Sequence, residues 1–244
     1  YILDMMSVKI GNRDVMAVSM YPKEGNPLWE DYSTLTVAET LKTYSDYTFD
    51  YPYSKAISVH AKQQGMEYPM ICFNFGRPNI DGSYTDEVKF GMIGVIVHEI
   101  GHNFFPMIVN SDERQWAWMD EGINTFVQYV AEQKLGEDYP DIIYPLEKFP
   151  SDRGPAELIT RYMSIDQRIL APIMSNPENI FNLGPNAYGK PAVALNILRE
   201  TIMGRELFDH AFKTFSKRWM FKHPTPEDFL SLIHISEPTR LTCI

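Results

Sequence analysis

Eighteen residues separate His102 from Glu121, and just before that gap stands His98-Glu99-Ile100-Gly101-His102. Histidines at i and i+4 share one helix face a turn apart, so both imidazoles reach a single point if this segment is helical. A third ligand from further along requires the chain to leave that helix, turn and start another. The spacing therefore predicts helix, turn and helix, with Glu121 at the start of the second. Two imidazole nitrogens and one carboxylate oxygen leave the fourth position of a tetrahedral zinc ion open, as in a catalytic centre and unlike a closed structural one. Glu99, between the histidines on the same turn, is the natural general base for a water molecule at that position.

The surroundings carry helical periodicity. Ile93, Ile96, Val97, Ile100 and Phe104 follow it around the histidines, and Ile123, Phe126, Val127 and Val130 follow it after Glu121. A competing zinc class, the metzincins, needs a glycine three residues after the second histidine and a third histidine three beyond that. Those positions hold Phe105 and Ile108, which excludes it.

With 244 residues, 44% hydrophobic and 22% charged, the chain suits one domain with a sizeable core. A net charge of -10 disfavours nucleic acid and anionic membrane as partners. No apolar run reaches the length that spans a bilayer. A small or peptide substrate fits this surface better. Cys72 and Cys243 make no disulfide framework. The sequence assigns no compartment and no oligomeric state.

Residues 1–22 alternate apolar and polar in two runs, Ile2 to Ile10 and Asp14 to Met20, divided by Gly11-Asn12, which predicts a hairpin. Ser33 to Tyr47 reads as a helix with Val37, Leu41 and Tyr44 on one stripe, and Ala56 to Ala61 and Met70 to Phe75 read as strands. The histidine helix is expected from about Glu87 to a stop or kink before Pro106. Asp120 is a good N-cap for a helix running to about Leu135. Residues 136–155 contain four prolines and read as a surface excursion; helices are expected over 157–163, 188–203 and 205–220.

With these four residues placed, the chain resembles the gluzincin aminopeptidases over most of residues 30–229. Three motifs carry the match. Gln64-Gly65-Met66-Glu67-Tyr68 resembles the family's Gly-x-Met-Glu-Asn exopeptidase motif, with Gln64 and Tyr68 departing from it. Trp118-Met119-Asp120-Glu121-Gly122 resembles Trp-Leu-Asn-Glu-Gly around the third ligand; seven residues on, Gln128 stands where the family commonly has glutamate. Tyr188-Gly189-Lys190-Pro191 resembles the segment bearing the family's transition-state tyrosine.

The resemblance implies an α+β, thermolysin-like metallopeptidase catalytic domain, with a small mixed β-sheet lobe followed by a mainly helical lobe. It implies one catalytic zinc ion on His98, His102 and Glu121, with Glu99 and Tyr188 catalytic. Glu67 is then expected to grip the free α-amine of a peptide substrate while Gly65 and Met66 help align it. The implied reaction is removal of N-terminal residues. Two other readings stand beside it: a thermolysin-type endopeptidase, which lacks the amine-binding carboxylate, and a non-catalytic peptide-binding module on the same fold.

Leu230 through Arg240 matches, at all eleven residues, the in-frame translation of a transposase sequencing adapter, and 241–244 then read as barcode. The expectation is a domain over 1–229, truncated at both ends, followed by a non-native tail over 230–244. In the family this catalytic domain lies between an N-terminal β domain and a C-terminal helical domain.

Overall fold

The computed structural model describes residues 1–62, 65–142 and 162–236, with side chains described to residue 231. The chain forms two compact units. One is built from Tyr1–Asp46, Asp50–Phe104 and the stretch beginning at Val127; the other from Tyr47–Phe49, Phe105–Phe126 and the described residues from 162 onward.

The first unit holds a five-stranded mixed sheet of order β1-β2-β3-β5-β4. Strands β1 (Ile2–Ile10) and β2 (Arg13–Tyr21) form the expected hairpin, Ile10 opposite Arg13. Strands β3 (Lys55–His60) and β5 (Ile71–Asn74) continue it in parallel, and β4 (Gly65–Tyr68) closes the edge antiparallel to β5, with Glu67 opposite Cys72. Four residues without apolar alternation gave β4 no strand signature in sequence.

Helix α1 (Leu28–Tyr47) begins five residues earlier than its periodicity suggests, because Leu28 and Trp29 are themselves fully buried. Val37, Leu41 and Tyr44 form its inward stripe as expected. Its buried Ser33, Thr36 and Thr40 hydroxyls donate to carbonyls four residues back, so burying them leaves no donor unpaired. Helix α2 (Asp86–Gly101) starts at an N-cap, the Thr85 hydroxyl accepting from the Val88 amide. It packs on β3, β4 and β5. Phe90, Ile93, Ile96, Val97 and Ile100 supply the buried face, and after it Phe104 packs between Tyr44 and Tyr51, tilted against each ring. The helix ends before Pro106; Phe105 is extended (φ -134°, ψ 116°), as the residue preceding a proline prefers.

The second unit is mainly helical. Helix α3 (Ile123–Asp138) leads out of it, preceded by a wide, π-type turn over Trp118–Gly122. This corrects the N-cap expectation for Asp120. Ala117 is already helical (φ -54°, ψ -25°), so the chain enters the turn before Asp120 and leaves it no capping role. The helix expected over 188–203 is instead a wide turn at Pro185–Gly189, helix α4 (Lys190–Ile197) and a second wide turn at Leu198–Ile202. Helix α5 (Arg205–Trp219) closely matches its expected range, and α6 (Pro226–Ser236) follows. Most of the helix expected at 157–163 and most of the proline-rich excursion lie outside the described residues.

An aromatic cluster forms the core of this unit. Phe208, Phe212 and Phe215 recur at helical spacing on α5 and meet Phe126, Trp118 and Phe229, with Phe215 and Phe229 edge to face at 4.9 Å. Behind it the half-buried Asp209 carboxylate receives both Arg199, at 2.6 and 2.9 Å, and the Tyr47 hydroxyl.

Candidate active site

In the first unit, His98 and His102 stand one turn apart at the C-terminal end of α2, His98 half-buried and His102 buried. Their Nε2 atoms are 3.0 Å apart and the rings perpendicular. Gln128, from the part of α3 that belongs to this unit, faces His98 with its Oε1 2.9 Å from Nδ1. The orientation of that amide follows from its other end. Its Nε2 donates to the Gly94 carbonyl at 3.2 Å and to Glu132 Oε1 at 2.8 Å, two groups that only accept. The oxygen therefore faces the imidazole, Nδ1–H of His98 donates, and the His98 Nε2 lone pair points at His102. Two nitrogens on one tetrahedral zinc ion, each at about 2.0–2.1 Å, stand about 3.3 Å apart. The pair fits that ion in donor type and span.

Glu99 is buried on the same turn, and its carboxylate lies against strand β4. A side chain on Gly65 would meet Glu99 Oε1 at 2.4 Å and Val95 Cγ2 at 2.8 Å, so the strand approaches this closely because residue 65 has no Cβ. Two residues along, Glu67 is half-buried, and Glu67, Glu99 and His102 each bring a ligand-type atom within 4.8 Å of the others. Gly65, Met66 and Glu67 lie on the edge strand, which among the described residues pairs only with β5. On β5, burial pushes the Cys72 thiol up to about 12; Glu99 and Glu67 add to that shift, and hydrogen bonds from Asn74 and Ser58 oppose it. Cys72 is a free cysteine buried in the core.

Asn103 was not anticipated. It is buried directly after His102; its Oδ1 accepts from the Met70 amide at 2.7 Å and its Nδ2 donates to the Ile100 carbonyl at 3.0 Å. Met70 forms the turn between β4 and β5 at φ 64°, a strained conformation for a side chain of that size. One amide thus ties the strand bearing Glu67 to the helix end bearing the histidines. The only signal in sequence was a polar residue following the motif where an apolar one would fit the stripe.

The second unit holds Glu121 and Tyr188, both half-buried, on the wide turns Trp118–Gly122 and Pro185–Gly189. These turns pack on each other. A Cβ at Gly122 would sit 2.3 Å from Pro191 Cγ and 2.8 Å from the Ala187 carbonyl oxygen, so here too a glycine permits the approach. The Glu-Gly and Tyr-x-Lys-Pro segments, read separately in the sequence, are neighbours in the fold.

The sequence profile of the peptidase family M1 domain matches residues 32–242. Among solved structures, the M1 zinc metallopeptidase from Deinococcus radiodurans is similar over 96% of this chain and 48% of that one, at 19% identity and a TM-score of 0.67. A two-domain M1 zinc metallopeptidase mutant bound to L-tryptophan is similar over 96% and 49%, at 19% and 0.66. Native yeast LTA4 hydrolase is similar over 96% and 36%, at 18% and 0.63. At these identities the likeness shows the fold. The chain spans about half the length of the first two. No curated protein matches it.

Proposed function

Because the chain belongs to peptidase family M1, we propose that it is the catalytic domain of a zinc-dependent aminopeptidase, removing N-terminal residues from peptides. His98, His102 and Glu121 would hold the ion; the paired Nε2 atoms at 3.0 Å, with the His98 Nε2 lone pair facing His102, support this reading. Zinc, when bound, supplies a positive charge that polarises the scissile carbonyl and acidifies water.

The remaining chemistry falls to the chain's own side chains. Glu99 accepts a proton from the attacking water and passes it to the departing amine, a shuttle suited to a buried carboxylate against the ligand turn. Tyr188 donates its phenolic hydrogen to the oxygen that becomes negative, an interaction that strengthens as charge develops. Glu67 receives the substrate's ammonium in a charge-assisted contact, fixing the first residue beside the scissile bond.

The observation carrying the exopeptidase reading is the clustering of Glu67 with Glu99 and His102. An endopeptidase has no use for a carboxylate there, since a mid-chain amide offers it no cation. The test is hydrolysis of a free peptide and of its N-acetylated twin by the zinc-loaded protein. The free peptide should be cut from its N-terminus and the blocked one left intact; equal rates would assign the chain to the endopeptidases. Turnover of neither, with zinc bound at one equivalent, would favour a binding module.

A further inference from the structure

We infer that Gln128 and Glu132 form a two-residue relay that sets the tautomer and orientation of His98, and through it the zinc affinity of the centre. The inference rests on the metal-centre reading above and extends it to residues that touch no ion.

A ligating imidazole needs its other nitrogen held, because an imidazole free to rotate or to carry its proton on Nε2 presents no lone pair to the metal. A carboxylate performs this task directly in many zinc sites. Here the group in contact is a neutral amide, and an amide alone can face either way. Its other end resolves the ambiguity. The Gly94 carbonyl and the Glu132 carboxylate only accept, and of the two ends of the Gln128 amide only Nε2 can donate to them. Glu132 therefore acts at one remove: it holds the amide nitrogen, the amide oxygen holds Nδ1–H, and Nε2 is left without a proton.

The relay runs along one helix face, since 128 and 132 are i and i+4 on α3. It is also inside the protein. Gln128 is buried and Glu132 half-buried, and the fully buried Tyr44 phenol is raised first by burial and then by the charge of Glu132. A negative charge in this position is costly without a firm donor, and Gln128 provides one. The arrangement explains why residue 128 is an amide: a carboxylate there would face Glu132 across the 2.8 Å that the hydrogen bond now spans. Toward His98 and toward each other the two roles can be exchanged, with only the contact to the Gly94 carbonyl given up. Glu at 128 with Gln at 132 would accept from His98 Nδ1–H and receive the amide of residue 132.

The test is the zinc dissociation constant, by chelator competition, of the wild-type protein, Gln128→Leu and the swap Gln128→Glu/Glu132→Gln. The His98 Nδ1–H proton is followed in parallel by 15N-resolved NMR on the zinc-loaded forms. Loss of an outer partner of this kind weakens metal binding by about 10–100-fold, and that is the expected effect of Gln128→Leu, together with loss of the slowly exchanging Nδ1–H signal. The swap should restore affinity to within about threefold and the signal with it. If Gln128→Leu is too unstable to study, the swap decides alone, since it keeps the pairing to His98 and the pairing between 128 and 132. Unchanged affinity in Gln128→Leu, or a swap with affinity reduced about 10–100-fold, overturns the relay while leaving the zinc centre standing. A wild-type protein that takes up no zinc overturns both.

Discussion

Replacing Asn103 with alanine should loosen the link between the Glu67 strand and the histidine helix, and the structure gives the size of the effect. Of its three contacts, the one from Tyr51 is the most dispensable. That hydroxyl has one hydrogen, 3.1 Å from the Lys55 carbonyl and 3.3 Å from Asn103, so it keeps a partner without the asparagine. The Met70 amide has no such alternative, and a buried donor left unmade costs about 1–3 kcal/mol. Lost packing of the buried amide adds on the order of 1 kcal/mol. A total near 3 kcal/mol lowers the melting temperature of a chain this size by about 6–12 °C. Met70, released from its left-handed conformation, no longer fixes the strand end three residues past Glu67. KM for a free-amine peptide should therefore rise more than kcat falls. Calorimetry and steady-state kinetics on the zinc-loaded variant measure both. A melting temperature within about 1 °C of wild type, with KM unchanged, refutes the argument.

Glu99→Gln should leave zinc content unchanged yet reduce turnover by about 10²–10⁴-fold, the usual worth of a general base; retained activity removes Glu99 from that role. Gly122→Ala places a methyl against the Pro191 ring and a carbonyl, neither of which can rotate away. An overpacking cost of about 1–3 kcal/mol should appear as a fall in melting temperature, and a neutral variant would mean the two turns are not held together as described. His60 is buried between Trp29 and Phe75, and burial, with Arg77 adding to it, lowers its pKa. The unfolded chain then binds this proton more readily than the folded one. His60 thus costs stability as pH falls through its unfolded value of about 6.5. His60→Phe should flatten the loss of melting temperature between about pH 7 and 5; an unchanged slope places the acid sensitivity elsewhere.

Much of this was legible in the residues, for definite reasons. The histidine pair was readable because helical spacing alone puts both rings on one face, and the stripe through Ile93, Val97 and Ile100 is the same periodicity that buries α2 on the sheet. The hairpin was readable from alternation around a two-residue turn. What escaped were features whose cause lies far along the chain. Strand β4 exists because β5 offers it a partner, which four residues of its own cannot announce. The wide turns at Trp118–Gly122 and Pro185–Gly189 look like ordinary helix starts in sequence, and they pack on each other where Gly122 meets the Ala187 carbonyl. Gln128 was visible as a departure from a family pattern, but its meaning needed the position of Glu132.

The most direct test of the central claim is the zinc content of the protein under native mass spectrometry, wild type against Glu121→Ala. One ion per chain in the wild type, lost in the variant, is the predicted result. Absence of zinc from the wild type, or its full retention in the variant, would contradict a centre built on His98, His102 and Glu121.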